Sequence, residues 1–231
     1  KKSDRDVISF DLENAEKVIP TLHKKGQKAV CYFSGGEIDS KTNDYKDFVK
    51  ADLIIYNKRH WENYFIDIRK LNKLKPLIKN RLKRALKYGC DAVEVDNINT
   101  PRRYEKSITE KDSIKYAKMV AETAHEVGLS IGLKNSPEHT HVLEPYFDFA
   151  IVENCAKYDE CKYFQVFTRN NKAVFTVHYS NRGYSLTSNL STLIKTQKGY
   201  GFTCVISSQD LQNHSINYNC DTGKKIGNYL L

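Results

Sequence analysis

The sequence predicts an α/β fold: a single (β/α)8 barrel of the TIM type that occupies residues 1–231 as one domain. Short β-rich runs alternate with amphipathic helical segments, the pattern of a parallel sheet. Eight such strands in 231 residues suit a closed barrel. An open doubly wound sheet is the alternative fold. No glycine-rich phosphate-binding loop follows any of these strands, which argues against nucleotide binding.

The predicted strands are runs rich in β-branched and aromatic residues. They occupy residues 7–11, 28–34, 64–68, 92–97, 130–135, 149–154, 173–179 and 201–208. A further apolar run at 52–56 competes with the third strand for its place in the barrel. Apolar residues at helical spacing predict helices over 76–89 and 110–128. The polar, Asn-rich segment 209–231 is predicted to be a final loop and cap.

Charge and hydropathy exclude several classes of protein. Lys and Arg number 37 against 28 Asp and Glu, which gives a net charge of +9. The lysines are dispersed along helical stretches rather than clustered with aromatics, so they predict a solvated surface and no nucleic-acid partner. No run approaches the roughly 18–20 apolar residues of a membrane span.

The six cysteines point to an oxidising compartment, so we expect a secreted or cell-surface protein. Cys155 and Cys161, separated by five residues, are predicted to form one disulfide, and Cys204 and Cys220 a second. Cys31 and Cys90 lie in or beside apolar strands and are expected to be buried thiols. No cysteine pair has CxxC spacing, so neither a metal nor a cofactor is predicted. We expect a monomer.

Polar residues follow the predicted strands at the point where each strand ends. The clearest case is "GCDAVEVDNIN" at 89–99, where an apolar run finishes on Asp96. In a parallel barrel the strand ends meet at one rim, where active sites are built. A single acid at a strand end is usually a cap, but several acids meeting at one rim favour a catalytic role.

Two chemistries fit an acidic rim. A pair of carboxylates hydrolyses glycosidic bonds, because one protonates the leaving oxygen while the other attacks or activates water. A Schiff-base aldolase would instead use Lys134 as its nucleophile. The nearby acids should keep Lys134 charged, which disfavours the aldolase.

Five motifs in order carry a resemblance to a known family: "CYFSGGEID", "GCDAVEVDNIN", "AHEVGLSIGLKN", "FDFAIVENCAKYDEC" and "KAVFTVHYS". Together with "WENYFIDIR", they resemble glycoside hydrolase family 114 over residues 6–180. These are endo-α-1,4-polygalactosaminidases with a (β/α)8 barrel. The resemblance implies a polysaccharide of amino sugars as substrate.

The resemblance also implies which residues form the site. Asp96 and Glu153 match the family's catalytic carboxylates, with Asp96 as nucleophile or base and Glu153 as general acid. The residues that would line the sugar subsites are Asp11, Glu37, Asn97, Lys134 and Asn135. Tyr32, Trp61 and Tyr179 are candidate sugar-stacking aromatics, although Tyr32 fits a packed strand residue equally well. Glu94, two residues before Asp96, lies on the same side of its strand and could share a proton with it.

Three departures from the family pattern keep alternatives open. Val95 stands where the family has Pro, and no extra strand is seen before Asp6. Where the family has an acid, this chain has His178, which we predict at the sugar-binding surface beside Tyr179. The loss of an acid there suggests a hydrolase for another amino-sugar polymer or a catalytically weakened carbohydrate-binding barrel. A cationic polymer also fits a net charge of +9 poorly unless the cleft itself is acidic.

Overall fold

The protein is described here by a computed structural model that covers residues 4–55, 63–211 and 215–227. The chain divides into two compact units. The first unit is Asp6–Gly132, and the second is Leu133–Leu231 together with Lys1–Arg5. The prediction of a single domain over 1–231 stays a prediction.

Within the described residues, six strands and five α-helices lie in the first unit. The strands are β1 (Val7–Asp11), β2 (Lys28–Ser34), β3 (Glu37–Asp39), β4 (Ile54–Ile55), β5 (Asn63–Ile66) and β6 (Ala92–Asp96). The helices are α1 (Ala15–His23), α2 (Tyr45–Lys50), α3 (Leu71–Tyr88), α4 (Thr100–Tyr104) and α5 (Glu110–Glu126).

Strand β7 (Ser130–Lys134) begins in the first unit and ends in the second. The second unit then contains β8 (Phe149–Glu153), β9 (Val174–Tyr179), β10 (Thr203–Ser207), β11 (Ser215–Tyr218) and β12 (Lys225–Ile226). Its helices are α6 (Thr140–Leu143), α7 (Gln165–Arg169) and α8 (Leu190–Gln197).

The main sheet has nine strands in the order β1-β2-β6-β7-β8-β9-β10-β11-β12. The pairs β1-β2, β2-β6, β8-β9 and β9-β10 are parallel, as alternating strands and helices predict. Strands β11 and β12 add to the sheet in antiparallel pairs. The fold is therefore mixed α/β with a mainly parallel sheet.

The third predicted strand is not part of this sheet. Residues 64–68 were expected to join the barrel, but β5 lies between β3 and β4 in a separate three-stranded antiparallel sheet. Antiparallel neighbours need only short connections, whereas a parallel crossover needs about a dozen residues or more. The three short strands between Glu37 and Ile66 therefore pair with one another.

The C-terminal segment also differs from its prediction. It was expected to be a loop and cap over 209–231, yet it contains β11, which pairs with β10 from Cys204↔Tyr218 to Ser207↔Ser215. The disulfide between Cys204 and Cys220 joins the same two chain segments. The many Asn residues of this segment hid the polar and apolar alternation of Ser215–Tyr218.

The two long helices pack through the residues that predicted them. In α3 the residues Leu74, Ile78 and Leu82 are fully buried at four-residue spacing, so they form one apolar stripe. This stripe begins before residue 76, and α3 accordingly starts at Leu71. Helix α5 begins with a capping box, in which the side chains of Thr109 and Asp112 each accept a bond from the other's backbone N–H.

No helix in the described ranges has the length and apolar character that crossing a membrane requires.

Candidate functional site

Three strands of the main sheet are followed by the same backbone conformation. In each case the last strand residue is a predicted site residue, and the next residue is an Asn in the left-handed region. The pairs are Asp96-Asn97, Lys134-Asn135 and Glu153-Asn154, with Asn φ angles of 61°, 53° and 51°. Asn tolerates this conformation better than most residues because its short polar side chain bonds locally. The chain therefore leaves the strand directly after the functional side chain.

One face of strands β1, β2 and β6 carries several of the predicted site residues of the first unit. The register places Asp11 beside Tyr32, Tyr32 beside Glu94, and Ser34 beside Asp96. Directly paired residues of neighbouring strands point to the same face of a sheet. The first unit thus brings together four of the residues predicted from the sequence.

The Asp96 carboxylate accepts hydrogen bonds from two described donors in the first unit. The Asn97 backbone N–H donates to its Oδ1 over 2.7 Å, and the Tyr32 hydroxyl donates to its Oδ2 over 3.3 Å. Donors of this kind stabilise the ionised carboxylate. Tyr32 is half-buried, and its polar end is directed at the acid.

Glu94 occupies a more enclosed position on the same face. Its side chain is buried, and Ser9 donates to its Oε2 over 2.6 Å. Ser9 was not recognised from the sequence. The signal was present in "VISFD", where Ser9 and Asp11 are the polar residues at period two.

The turn after β2 is tied to the Asp96 strand end by its backbone. The Gly35 N–H donates to the Asp96 carbonyl over 2.8 Å. The Ser34 hydroxyl oxygen accepts from Asn97 Nδ2 over 3.1 Å and from the Glu37 N–H over 3.1 Å. The motif "CYFSGGE" therefore positions both Asn97 and Glu37.

Two buried side chains hold this turn from behind. The Tyr116 hydroxyl donates to the Gly35 carbonyl over 2.6 Å, and Arg81 donates to the Ser34 carbonyl over 2.8 Å. Arg81 also forms two hydrogen bonds to Asp44, at 2.6 and 2.8 Å. Sequence reasoning missed both residues, because each lies on a helix and looks like an ordinary helix residue.

The predicted roles of Asp11 and Glu37 at the sugar subsites stay predictions, and the structure gives the local surroundings of each residue. Asp11 Oδ1 accepts from the Glu13 N–H over 2.8 Å and so caps a short 3-10 turn. Glu37 opens β3 and is half-buried. Trp61 lies outside the described residues.

In the second unit, Glu153 is the centre of a polar cluster. Its Oε1 accepts a hydrogen bond from the Tyr179 hydroxyl and lies 3.7 Å from Lys134 Nζ. Asn135 holds both ends of the residue: Nδ2 donates to Glu153 Oε2 over 3.2 Å, and Oδ1 accepts from the Glu153 N–H over 2.9 Å. The second unit thus brings together four of the residues predicted from the sequence.

Lys134 fits this cluster as a cation. Its side chain is largely buried beside the Glu153 carboxylate. An adjacent negative charge favours the charged ammonium, whereas a Schiff-base nucleophile must be neutral to attack. The arrangement therefore favours carboxylate chemistry over the aldolase alternative.

His178 has a different place from the one predicted. It shares a face of β9 with Thr176, which bonds to Gln197 of α8 over 2.5 Å. Tyr179, the next residue, points to the opposite face toward Glu153. His178 is fully buried rather than at a sugar-binding surface, and burial lowers its pKa to about 4.

The disulfide pattern is largely as predicted. The bonds Cys155–Cys161 and Cys204–Cys220 are confirmed. The prediction of buried thiols at Cys31 and Cys90 is wrong, because these residues form a third disulfide. Cys31 lies in β2 and Cys90 just before β6, and their spatial proximity depends on the pairing of those strands.

One group of side chains resembles a metal site by position alone. The sulfur atoms of Cys155 and Cys161 and a ring nitrogen of His178 lie within 4.8 Å of one another. The two sulfurs share a disulfide, so neither is the thiolate that a metal ion binds.

Comparisons with known proteins place this site in context. The profile of glycoside hydrolase family GH114 matches residues 1–224. Ega3 from Aspergillus fumigatus, solved in complex with galactosamine, is 26% identical with a TM-score of 0.80. That similarity covers 93% of this chain and 88% of the other.

The glycoside hydrolase domain of PelA from Pseudomonas aeruginosa has the same fold at 13% identity, with a TM-score of 0.66. Here 91% of this chain and 90% of the other are covered. No curated protein sequence matches the chain. The family match spans nearly the whole sequence, and the chain therefore belongs to glycoside hydrolase family 114 and is a glycoside hydrolase.

Proposed function

We propose that the protein is a secreted hydrolase that cleaves internal α-1,4 bonds of galactosamine-containing polysaccharides, with Asp96 and Glu153 as its catalytic carboxylates. The observation that carries this proposal is the family match, together with the similarity to Ega3, a protein solved with galactosamine bound. The proposed scaffold is the closed (β/α)8 barrel that the sequence predicts, in which strand ends would meet at one rim.

In this mechanism Asp96 is the nucleophile or the base that activates water. Either task requires an ionised carboxylate. The Asn97 N–H and the Tyr32 hydroxyl both donate to Asp96 and favour that form.

Glu153 is the proposed general acid, which gives its proton to the leaving glycosidic oxygen. The Tyr179 hydroxyl and the Lys134 ammonium stabilise the carboxylate that remains after this transfer. Asn135 Nδ2 donates to Glu153 Oε2 over 3.2 Å and so orients the carboxyl group for this transfer.

The substrate class fits the acids of the two clusters. A galactosamine polymer carries free ammonium groups at neutral pH, and carboxylates such as Asp11 and Glu37 can pair with them. This local pairing offsets the unfavourable long-range effect of a net charge of +9.

The three disulfides support secretion, because such bonds form and persist in oxidising compartments. A polysaccharide outside the cell is accessible to an enzyme in that compartment.

The catalytically weakened alternative rested on the family's missing acid at His178. That residue is buried on the face of β9 opposite to Glu153, so its identity does not remove an acid beside Glu153. This observation favours the hydrolase over a binding barrel.

The test is hydrolysis of de-N-acetylated and of fully acetylated galactosamine polymers, with mass spectrometry of the released oligosaccharides. We expect internal cleavage of the de-N-acetylated polymer. Asp96→Asn and Glu153→Gln should each lower kcat by at least about 100-fold while leaving the melting temperature nearly unchanged.

Glu126→Gln is the matched control, because Glu126 is an exposed carboxylate that pairs with two surface lysines on α3. Its activity should equal that of the wild type. Binding of the polymer without any released product would refute the hydrolase and favour the binding barrel.

A further inference from the structure

The last residues of β9 hold the chain segment that contains Glu153. The Val177 carbonyl accepts from the Asn154 N–H over 2.8 Å, and the Tyr179 N–H donates to Asn154 Oδ1 over 3.1 Å. Between them, His178 Nε2 accepts from the Ala156 N–H over 3.1 Å. Three consecutive residues of one strand therefore bind the turn that follows Glu153.

The bond from Ala156 satisfies a specific need. Residues Cys155–Tyr158 form a short 3-10 turn, and the first N–H groups of such a turn have no partner within it. The Ala156 N–H is buried, so water cannot supply the acceptor. His178, on the neighbouring strand, supplies it instead.

A neutral imidazole is required for this bond, because a protonated ring has no acceptor nitrogen. Burial lowers the pKa of His178 to about 4, so the ring stays neutral at the pH where an ordinary histidine would be partly charged. The only ring contact described for His178 is with Tyr184, at 5.0 Å between centroids.

The other ring nitrogen of His178, Nδ1, is a buried donor whose hydrogen bond is not satisfied within the described part of the chain. Because Nε2 accepts, the proton lies on Nδ1, and Nδ1 has no hydrogen-bond partner among the described residues. An unpaired buried donor destabilises a fold, and an apolar ring at this position would avoid it. The acceptor at Nε2 is thus the feature that distinguishes histidine from phenylalanine here.

We propose that His178 is a positioning residue for catalysis, whose Nε2 anchors the Ala156 N–H and thereby fixes the turn that begins directly after Glu153. This inference rests on the proposed role of Glu153 as the general acid. On this proposal His178, which stands where the family has an acid, acts in the enzyme by positioning Glu153 from the face of β9 opposite to it.

Three variants test the proposal. His178→Phe keeps the ring but removes the acceptor, whereas His178→Gln places an amide oxygen near the position of Nε2. Thr176→Val is the matched control, because it removes a buried hydrogen bond on the same face of the same strand without touching Ala156. His178→Leu, whose side chain has no acceptor, replaces His178→Phe if that variant does not fold.

The measurements are kcat and KM on the galactosamine polymer and amide hydrogen exchange at Ala156. We expect His178→Phe to lower kcat by about 10-fold to 100-fold with little change in KM, as displacement of a catalytic group by about 1 Å does. His178→Gln should recover most of this loss, and Thr176→Val should lower the melting temperature but keep kcat. Exchange at Ala156 should accelerate in His178→Phe and return toward the wild-type rate in His178→Gln.

A kcat of His178→Phe equal to that of Thr176→Val would overturn the proposal, as would unchanged exchange at Ala156. Failure of the proposed function is a distinct result, in which the wild type itself releases no product. The exchange measurement does not depend on turnover, so it tests the His178 contact in either case.

Discussion

Gly36 offers the most direct test of how the β2 turn positions the Asp96 strand end. A Cβ atom at this residue would lie 1.8 Å from the Asn97 carbonyl oxygen and 2.8 Å from the Asn97 carbonyl carbon. It would also lie 2.9 Å from Pro101 Cδ. The first two atoms belong to the backbone, so a Gly36→Ala substitution cannot be absorbed by a side-chain rotation.

The displacement can be worked from these distances. Close carbon–oxygen contacts in proteins lie at about 3.3 Å, so the two backbone segments must separate by about 1.5 Å. Gly36 itself is held, because its carbonyl accepts from the Ile66 N–H over 2.9 Å. Asn97 and the adjacent Asp96 therefore take up much of the movement.

Two effects of different size should follow. Overpacking of this kind costs about 1–3 kcal/mol of stability. A shift of about 1 Å in a catalytic group costs about 100-fold in rate. We therefore expect Gly36→Ala to stay folded at 25 °C with a lowered melting temperature and to lose about 100-fold in kcat.

The assay compares kcat and the melting temperature of Gly36→Ala with those of Gly128→Ala. Gly128 has a φ of 86° and open space around its Cβ position, so alanine there is strained without approaching the site. A similar loss of stability but unchanged kcat is expected for this control. Equal kcat values for the two variants would show that the turn after β2 does not position Asp96.

Two further predictions concern stability. The disulfide between Cys31 and Cys90 closes a loop with a sequence separation of 59. Replacing both residues with Ser should therefore lower the free energy of unfolding by about 4 kcal/mol on the chain-entropy model. A denaturation midpoint equal to that of the wild type would contradict this prediction. Burial alone raises the pKa of Asp67, but the hydrogen bonds from Arg69 outweigh it and lower the pKa. A lowered pKa stabilises the fold above the unfolded value of about 3.9 and loses this effect as the pH falls, so the melting temperatures of wild type and Asp67→Asn should converge below about pH 4. A constant difference from pH 7 to pH 3 would refute this assignment.

The strands of the main sheet were predictable because their apolar runs and polar ends are local features of the sequence. The seven predicted strands other than 64–68 all lie in that sheet. The exception shows the limit of such patterns: they identify a strand but not its partner. Residues 64–68 have a strand-like composition. The antiparallel pairing of β5 is decided by the two short strands β3 and β4 on either side of it.

Contacts distant in sequence account for the other differences. Cys31 and Cys90 look like buried thiols in isolation, because their disulfide follows from the register of β2 with β6. Arg81 and Tyr116 reach the β2 turn from helices, and no local motif marks them. Asp96 and Glu153 were recognisable as candidates because each is the last residue of an apolar strand, and the resemblance to the family selected them as the catalytic pair.

His178 illustrates a different limit. Its neighbour Tyr179 bonds to Glu153, and the family motif, which has an acid at the position of His178, suggested that both residues line one surface. The alternation of a strand separates them onto opposite faces, and this rule could have been applied to the sequence itself. The identity of the partner of His178, the Ala156 N–H, required the structure.

The left-handed asparagines after β6 and β8 separate two functions that one loop often combines in enzymes: holding the catalytic group and selecting the substrate. Asn97 and Asn154 turn the chain away immediately beyond Asp96 and Glu153, so strand and turn together fix each carboxylate. After β8 the fixed segment continues to Ala156, whose N–H donates to His178 Nε2. Substrate preference could therefore diverge through exchange of the segment after Asn97, in natural relatives or by design, while the reacting groups keep their geometry.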